Sequence, residues 1–288
     1  MPWVAPFALV IGAIVGLAFQ PKLAAEAKPL SRTLLQVAVV LIGFSLNISQ
    51  VLKAGAQGFL FSVVSIALVF GLGWLLQKAL QVRPVTSLLV STGTAICGGS
   101  AIAAMATAVD APGEDVTVSV GTVFLLNAVA LLVFPPLGHA MGMTATQFGT
   151  WAGIAIHDVA SVVGAATSFS PDSVAVASSV KLARVLFLVP ILLAVTLRKK
   201  SDGKKTAFPW FVGLFILASV ASSYVPALAS LVPYARLVAT AGFSLSLFLI
   251  GASIDRAAVR SVGFRPLLEG AILWAAISVT TLFVVRAT

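Results

Sequence analysis

The stretch "GTAICGGSAIAA", residues 93–104, decides how this chain is to be read. It lies within an apolar run, 86–109, long enough to cross a bilayer, because about 20 helical residues span the hydrocarbon core. In lipid a backbone satisfies its own hydrogen bonds by staying helical. Gly98 and Gly99 each cost about 1 kcal/mol in a helix relative to Ala. Ser100 is a good N-cap for a second helix restarting at Ala101. The spacing therefore predicts a helix broken at mid-membrane, its second half aiming free N–H groups and a positive dipole end into the protein. Such an end suits an anion, and interrupted helices are where secondary transporters hold substrate. The competing reading is a packing face of small residues.

The surrounding sequence agrees with a membrane setting. Of 288 residues 59% are hydrophobic and 9% charged, with mean hydropathy +1.09, whereas soluble domains carry about 25% charged residues. The expectation is an all-α polytopic membrane protein, one transmembrane domain over 1–288, with about ten helices. Apolar runs place them near 3–19, 33–52, 57–80, 86–109, 115–138, 147–169, 173–197, 208–225, 234–255 and 266–286. Short separators such as "QVRP", "DAPGED", "SFSPD" and "RKKSDGKK" divide them. The single cysteine, Cys97, leaves no internal disulfide framework. The first apolar run has no basic flank, so it does not read as a cleavable signal.

Charge orients this arrangement. With ten crossings, one side receives Lys22, Lys28, Arg32, Lys78, Arg83, Arg198, Lys199, Lys200, Lys204, Lys205, Arg256, Arg260 and Arg265. The other receives Lys53, Arg236 and Arg286, with the acidic turn Asp110, Glu114, Asp115. Basic residues collect on the cytoplasmic side, which puts both termini outside. The net charge of +9 is thereby explained without nucleic acid. An N-out start is unusual, and it leads one to expect a further helix ahead of residue 1.

Two internal echoes are visible. "LIGFSLNISQVLKAG" at 41–55 resembles "LIGASIDRAAVRSVG" at 249–263, on spans of opposite direction. Inverted repeats are a transporter habit. "GTAICGGSA" is echoed by "GIAIHDVAS" at 153–161. Those two spans run the same way if all ten cross, which an inverted repeat does not explain.

Buried charge marks the remaining candidates. His157 and Asp158 sit near the middle of span 6, where an ionisable group costs at least about 2.5–3.5 kcal/mol. On a continuous helix they lie about 100° apart, so one would line a cavity while the other pairs with a neighbouring span. Lys181 and Arg184, at i,i+3 on span 7, share a face. They need anionic company from Asp158, Glu269 or a bound anion, the alternative being an internal salt-bridge network. Asn47 and Asp255 occupy matching repeat positions, and Asn127 reads as a helix-to-helix hydrogen bond. Trp3, Trp151 and Trp210 fall near span starts, as an aromatic belt predicts. Two histidines and one cysteine make no zinc cluster, and no GxSxG, P-loop or dinucleotide motif occurs. Ser161, four residues after His157, lacks a third catalytic member.

"GTAICGGSAIAA", "GIAIHDVASVVGAA", "SSVKLARVLFLVPILL" and "GASIDRAAVRSVGFRPLLEG" resemble, in order and spacing, the YeiH family of bacterial inner-membrane proteins, also called sulfate exporters. The resemblance runs from about residue 10 to the C-terminus. The Ile-Cys-Gly and His-Asp segments are its most specific parts, and Asp158 stands where relatives often carry Glu. The resemblance implies a fold like that of bile-acid symporters and sodium/proton antiporters, with discontinuous helices crossing at mid-membrane. It also implies one more N-terminal helix.

The functional expectation is a secondary transporter, not an enzyme, exporting a small anion such as sulfate or an organosulfonate across the bacterial cytoplasmic membrane. Cys97, Gly98, Gly99 and Ser100 would offer amides, Lys181 and Arg184 charge, and His157 with Asp158 the coupling to H+ or Na+. Asn47, Asn127, Asp255 and Glu269 are secondary candidates. The alternatives are a cation/proton antiporter using Asp158 and an uncoupled anion channel. No cofactor, metal or catalytic residue is expected. The partners are the substrate, the bilayer, a coupling ion and a second copy in a homodimer.

Overall fold

The computed structural model describes residues 4–19, 30–44 (less 32, 35 and 42), 48–199, 210–252 and 262–287. The named helices are α1 (Val4–Phe19), α2 (Ile48–Leu80), α3 (Pro84–Ala95), α4 (Gly99–Val109), α5 (Gly113–Ala140) and α6 (Ala145–Ala155). They continue with α7 (Val159–Phe169), α8 (Ser173–Leu186), α9 (Leu188–Lys199), α10 (Trp210–Tyr224), α11 (Val232–Ala252) and α12 (Phe264–Ala287). Further helical turns lie within 30–41. Among the described residues there is no strand. Four stretches among the described residues are long and apolar enough to cross a membrane: Phe61–Leu80, Gly113–Ala140, Ser173–Val195 and Phe264–Ala287.

Local signals account for the boundaries that shape the site. Pro84 opens α3, where its missing N–H costs nothing. Glu114 and Asp115 fall in the first turn of α5, at the positive end of its dipole. Thr144 and Gln147 form a capping box on α6, the Gln147 N–H donating to Thr144 Oγ1 at 3.2 Å and the Thr144 N–H to Gln147 Oε1 at 3.1 Å. The α8–α9 run is interrupted at Phe187. Pro190 explains this, because it has no N–H for the carbonyl four residues earlier.

The run 86–109 is broken as expected, but it does not cross. Arg83, just before α3, pairs with Glu114 at 2.6 Å and Asp115 at 3.4 Å, at the start of α5. The Thr86 hydroxyl donates to Asp115, and the Ser119 hydroxyl donates to the Thr86 carbonyl at 3.2 Å. Further along, a methyl group built on Gly93 would meet Val123 at 3.1 Å. So α3 and α5 run side by side in one direction. Only residues 110–112 join α4 to α5, a reach of about 10 Å, so α4 must return to the end where α3 began. Ile102 of α4 lies back along Gly93 of α3, within 2.8 Å of its built methyl. The segment is a re-entrant hairpin with its tip at 96–98.

The run 145–169 does the same from the opposite end of α5. The Phe169 ring, at the end of α7, stacks on Phe148 near the start of α6, with centroids 4.0 Å apart, and on His139 at 4.4 Å. A methyl on Gly149 would meet the Ser173 carbonyl at 2.8 Å, and one on Gly153 the Ala177 carbonyl at 2.9 Å, so α6 and α8 run alongside each other. The second tip, 156–158, lies 60 positions after the first. The two tips touch: a methyl on Gly98 would sit 3.2 Å from Asp158 Cβ.

Two expectations are thereby corrected. Residues 84–109 and 145–169 are paired half-helices rather than two of ten crossings. Each half of 11 or 12 residues is about 16–18 Å long, roughly half the hydrocarbon core. The charge count could not detect this, because each hairpin returns the chain to the side it left and the two together leave every later basic loop where it was. Two turns change sides: the acidic one, which joins Arg83, and 141–144, which carries no lysine or arginine. The echo of "GTAICGGSA" in "GIAIHDVAS" also falls into place, since hairpins entering from opposite ends are an inverted pair.

Beside this core α1 packs lengthwise on α11. Gly12 permits the approach, for a methyl there would fall 2.0 Å from the Phe248 carbonyl oxygen. Ser246 of α11 donates to the Ser31 carbonyl at 2.9 Å. Asn47 and Asp255, the matched positions of the other echo, lie outside the described residues. Trp151 does not belong to an interfacial belt: it is buried, stacked on Phe134 at 4.0 Å, and its indole donates to the Ser278 carbonyl at 2.9 Å.

Candidate functional site

The site is assembled where the hairpin tips meet. At the first tip the backbone turns at Gly98, with φ +69° and ψ −132°, a conformation open to glycine and strained for other residues. α4 starts at Gly99, two residues before the expected Ala101. Ser100 is not its N-cap; its hydroxyl lies 3.0 Å from Cys97 Sγ and donates to the Cys97 carbonyl at 3.3 Å. Gly98 takes the cap position instead. Cys97 and Gly98 are buried, Gly99 is half-buried and Ser100 is exposed. As at any helix start, the first N–H groups of α4 have no acceptor within the helix.

The second tip was missed as a break. His157 and Asp158 do not sit 100° apart on a helix, because α6 ends at Ala155 and Asp158 caps α7. Asp158 Oδ1 accepts from the Ser161 N–H at 2.9 Å, and Oδ2 from the Ser161 hydroxyl at 2.6 Å. The Asp-x-x-Ser spacing was a legible cap signal. His157 is fully buried; its backbone N–H donates to Asn127 Oδ1 at 3.0 Å, and its ring makes no hydrogen bond to a side chain among the described residues. Asn127 thus reaches from α5 to hold the break open, a larger part than a plain helix-to-helix bond.

Lys181 and Arg184 share the face that their spacing predicted, and both point at the first tip. Lys181 Nζ donates to the Ile96 carbonyl at 3.3 Å. Arg184 donates to the Ala95 carbonyl and, at 3.0 Å, to Ser65 Oγ of α2. Both are fully buried, and neither is in an ion pair among the described residues. Neither Asp158 nor Glu269, two of the expected sources of anionic company, pairs with them among the described residues; carbonyls at the end of α3 do. There is a physical reason: the last carbonyls of a helix lack N–H partners and carry the negative end of its dipole. A half-helix ending at mid-membrane has no water to satisfy them, and two cations do so instead. Among the described residues the Arg184 Nε has no partner, nor do the Thr94 and Ser178 hydroxyls.

Glu269 lies elsewhere. It is fully buried on α12 and accepts from the Ser87 hydroxyl near the start of α3. At the exposed loop end of α5, ahead of its apolar stretch, the hydrogen bond and charge of Arg83 hold the Glu114 carboxyl below the ordinary glutamate range. Among the described residues no group of histidine, cysteine and acidic side chains is arranged to hold a metal.

Buried charges, paired half-helices and long apolar helices define an integral membrane protein with an interrupted-helix core. The chain belongs to the family described as conserved hypothetical protein 698, whose model matches residues 4–270. Relatives named UPF0324 membrane protein include one from Bacteroides thetaiotaomicron, 42% identical over 286 residues, covering 97% of this chain and 86% of that protein. One from Porphyromonas gingivalis is 42% identical over 283 residues, 96% of this chain and 85% of its own length. One from Photobacterium profundum is 40% identical, with 96% and 85% covered. This is the family that the motifs resemble; the relatives' names carry no substrate. No solved structure matches.

Proposed function

We propose that the chain is a secondary transporter, rather than an enzyme, moving a small anion of the sulfate or organosulfonate class across the bacterial cytoplasmic membrane. The observation that carries this reading is the meeting of two half-helix tips around buried charge. At the first tip the open end of α4 begins at half-buried Gly99 and exposed Ser100. Lys181 and Arg184 bond to the residues immediately before it. An anion seated on those amides would gain the dipole of α4 and the field of two cations. Two hairpins from opposite ends, meeting at mid-core, suit a site opened to either side in turn. Asp158, at the second tip, is the group we assign to coupling with H+ or Na+. In this reading the membrane carries eight crossings and two hairpins, with both chain ends on the outer side and a second copy as the oligomeric partner.

One observation favours a second reading. The two cations already satisfy carbonyls, so their charge can be structural, with a cation exchanged against protons at Asp158. Thermal unfolding of the purified protein in detergent separates the two. Sulfate, sulfite, thiosulfate, taurine and chloride would be compared with sodium and lithium, in wild type and Lys181→Ala. A ligand at 100 times its Kd stabilises by about 2.7 kcal/mol. Stabilisation by an anion, lost in the variant, supports anion transport. A response to sodium or pH alone would replace it with the antiporter.

A further inference from the structure

A second buried acid stands apart from the tips. Glu269 is fully buried on α12, about a turn and a half from its start, and one of its oxygens, Oε2, has no partner among the described residues. Its other oxygen accepts from Ser87 of α3, and the same Ser87 oxygen is 3.3 Å from the Gly73 carbonyl of α2. α2, α3 and α12 converge on this point with α5 packed behind them, and two glycines permit the close approach. A methyl on Gly73 would lie 2.1 Å from Ser91 Oγ, and one on Gly270 would lie 2.6 Å from a Thr122 methyl. Val90 and Leu126 pack beside Gly270, and Leu273 beside Gly73.

The hydrogen count is informative. A serine hydroxyl has one hydrogen, so Ser87 cannot donate to the carboxylate and to the Gly73 carbonyl together. If Glu269 carries a proton, its O–H donates to Ser87 Oγ, and Ser87 donates to the Gly73 carbonyl. Every hydrogen then has an acceptor. If Glu269 is ionised, Ser87 turns to it, the Gly73 carbonyl loses this bond, and a charge is left buried with an unpartnered oxygen, which an apolar interior disfavours strongly.

The surrounding charges do not compensate it. On α2, Lys78 lies 3.7 Å over the Trp74 ring, and the Lys53 side chain is outside the described set. α3 and α6 carry no titratable residue. Arg83, ahead of α3, is engaged by Glu114 and Asp115 of α5, and His139 at the far end of α5 stacks on Phe169. Arg265 precedes Glu269 by one turn on α12, and Arg286 sits at that helix's other end; neither pairs with Glu269 among the described residues.

We propose that Glu269, Ser87 and the Gly73 carbonyl form a proton-binding site, separate from the hairpin tips, in which one proton is held on the acid while the serine hydroxyl switches its donor bond between the Gly73 carbonyl and the carboxylate. The balance is simple. On release the Glu269 O–H bond breaks, the proton passes to water at the end of the bundle where the first hairpin enters, and the Ser87 hydroxyl rotates back to the carboxylate. Because α3 is one arm of that hairpin, loading the proton sets how firmly the arm holds to α12 and α2. The proposal does not depend on the tip site taking an anion.

Infrared spectra of the whole purified protein, taken across pH, test it without any substrate. The expected result is a protonated-carboxyl carbonyl band in wild type that disappears in Glu269→Gln. In Ser87→Ala the same band should shift to higher frequency, since the bond lowering it is gone. A spectrum in which Glu269→Gln removes nothing at any pH where the protein is folded would overturn the proposal. Should that variant not fold, an unshifted band in Ser87→Ala overturns it and a shifted one sustains it.

Discussion

Replacing Gly98 by alanine tests the tip geometry directly. At φ +69° and ψ −132° the residue lies where an L side chain is strained, at a cost of about 1–3 kcal/mol. The added methyl would stand 3.2 Å from Asp158 Cβ and 3.5 Å from the Asp158 backbone nitrogen. The second tip must then yield by a few tenths of an ångström, and overpacking of this kind costs about 1–3 kcal/mol. Part of that is relieved by the same movement, so roughly 2–4 kcal/mol is expected in all. That lowers the folded-to-unfolded ratio about 30- to 1,000-fold. Gly99→Ala is the control. It is the first residue of α4, its methyl would meet the tip of the Phe124 ring at 3.3 Å, and helix propensity gains at most about 1 kcal/mol. Equilibrium unfolding in mixed micelles, read by far-UV circular dichroism, would compare the two with wild type. Costs equal within about 0.5 kcal/mol would refute both the strained turn and the contact between tips.

Three further outcomes follow from the same geometry. With Cys97→Ala as background, Lys78→Cys and Gly113→Cys should be labelled by an impermeant thiol reagent from one side of the membrane, and Ala140→Cys and Asp172→Cys from the other. Labelling of Lys78→Cys and Gly113→Cys from opposite sides would restore a crossing at 84–109. Arg184→Ala should destabilise by about 3 kcal/mol or more, since it removes charged hydrogen bonds to Ala95 and Ser65. Arg184→Lys should recover only part of this in the same unfolding assay, because one ammonium cannot match the two-pronged guanidinium. The Glu114 carboxyl is depressed by Arg83, so their pairing contributes above the ordinary glutamate pKa of about 4.3 and fades as pH falls through the lower folded value. The small stability difference between wild type and Arg83→Ala should therefore vanish at acid pH; a difference that persists there would assign Arg83 another role.

Membrane residence, helicity and the interruption at 96–98 were legible in the sequence, because composition and glycine placement act locally. The shared face of Lys181 and Arg184 was legible for the same reason, since helix periodicity fixes it. Direction was not. A half-helix and half of a spanning helix have the same composition, so "SLLVSTGTAICGGSAIAAMATAV" reads alike whether it passes through or doubles back. Positive-inside counting sees only sidedness, and two hairpins cancel in it. Only tertiary contacts decide: Arg83 against Glu114 at one end, Phe169 against Phe148 at the other. The partners of the buried cations were decided there too. Sequence reasoning sought carboxylates for Lys181 and Arg184, yet once α3 stops at mid-membrane its terminal carbonyls need donors more urgently than those cations need acids. That need exists only because the chain folds back.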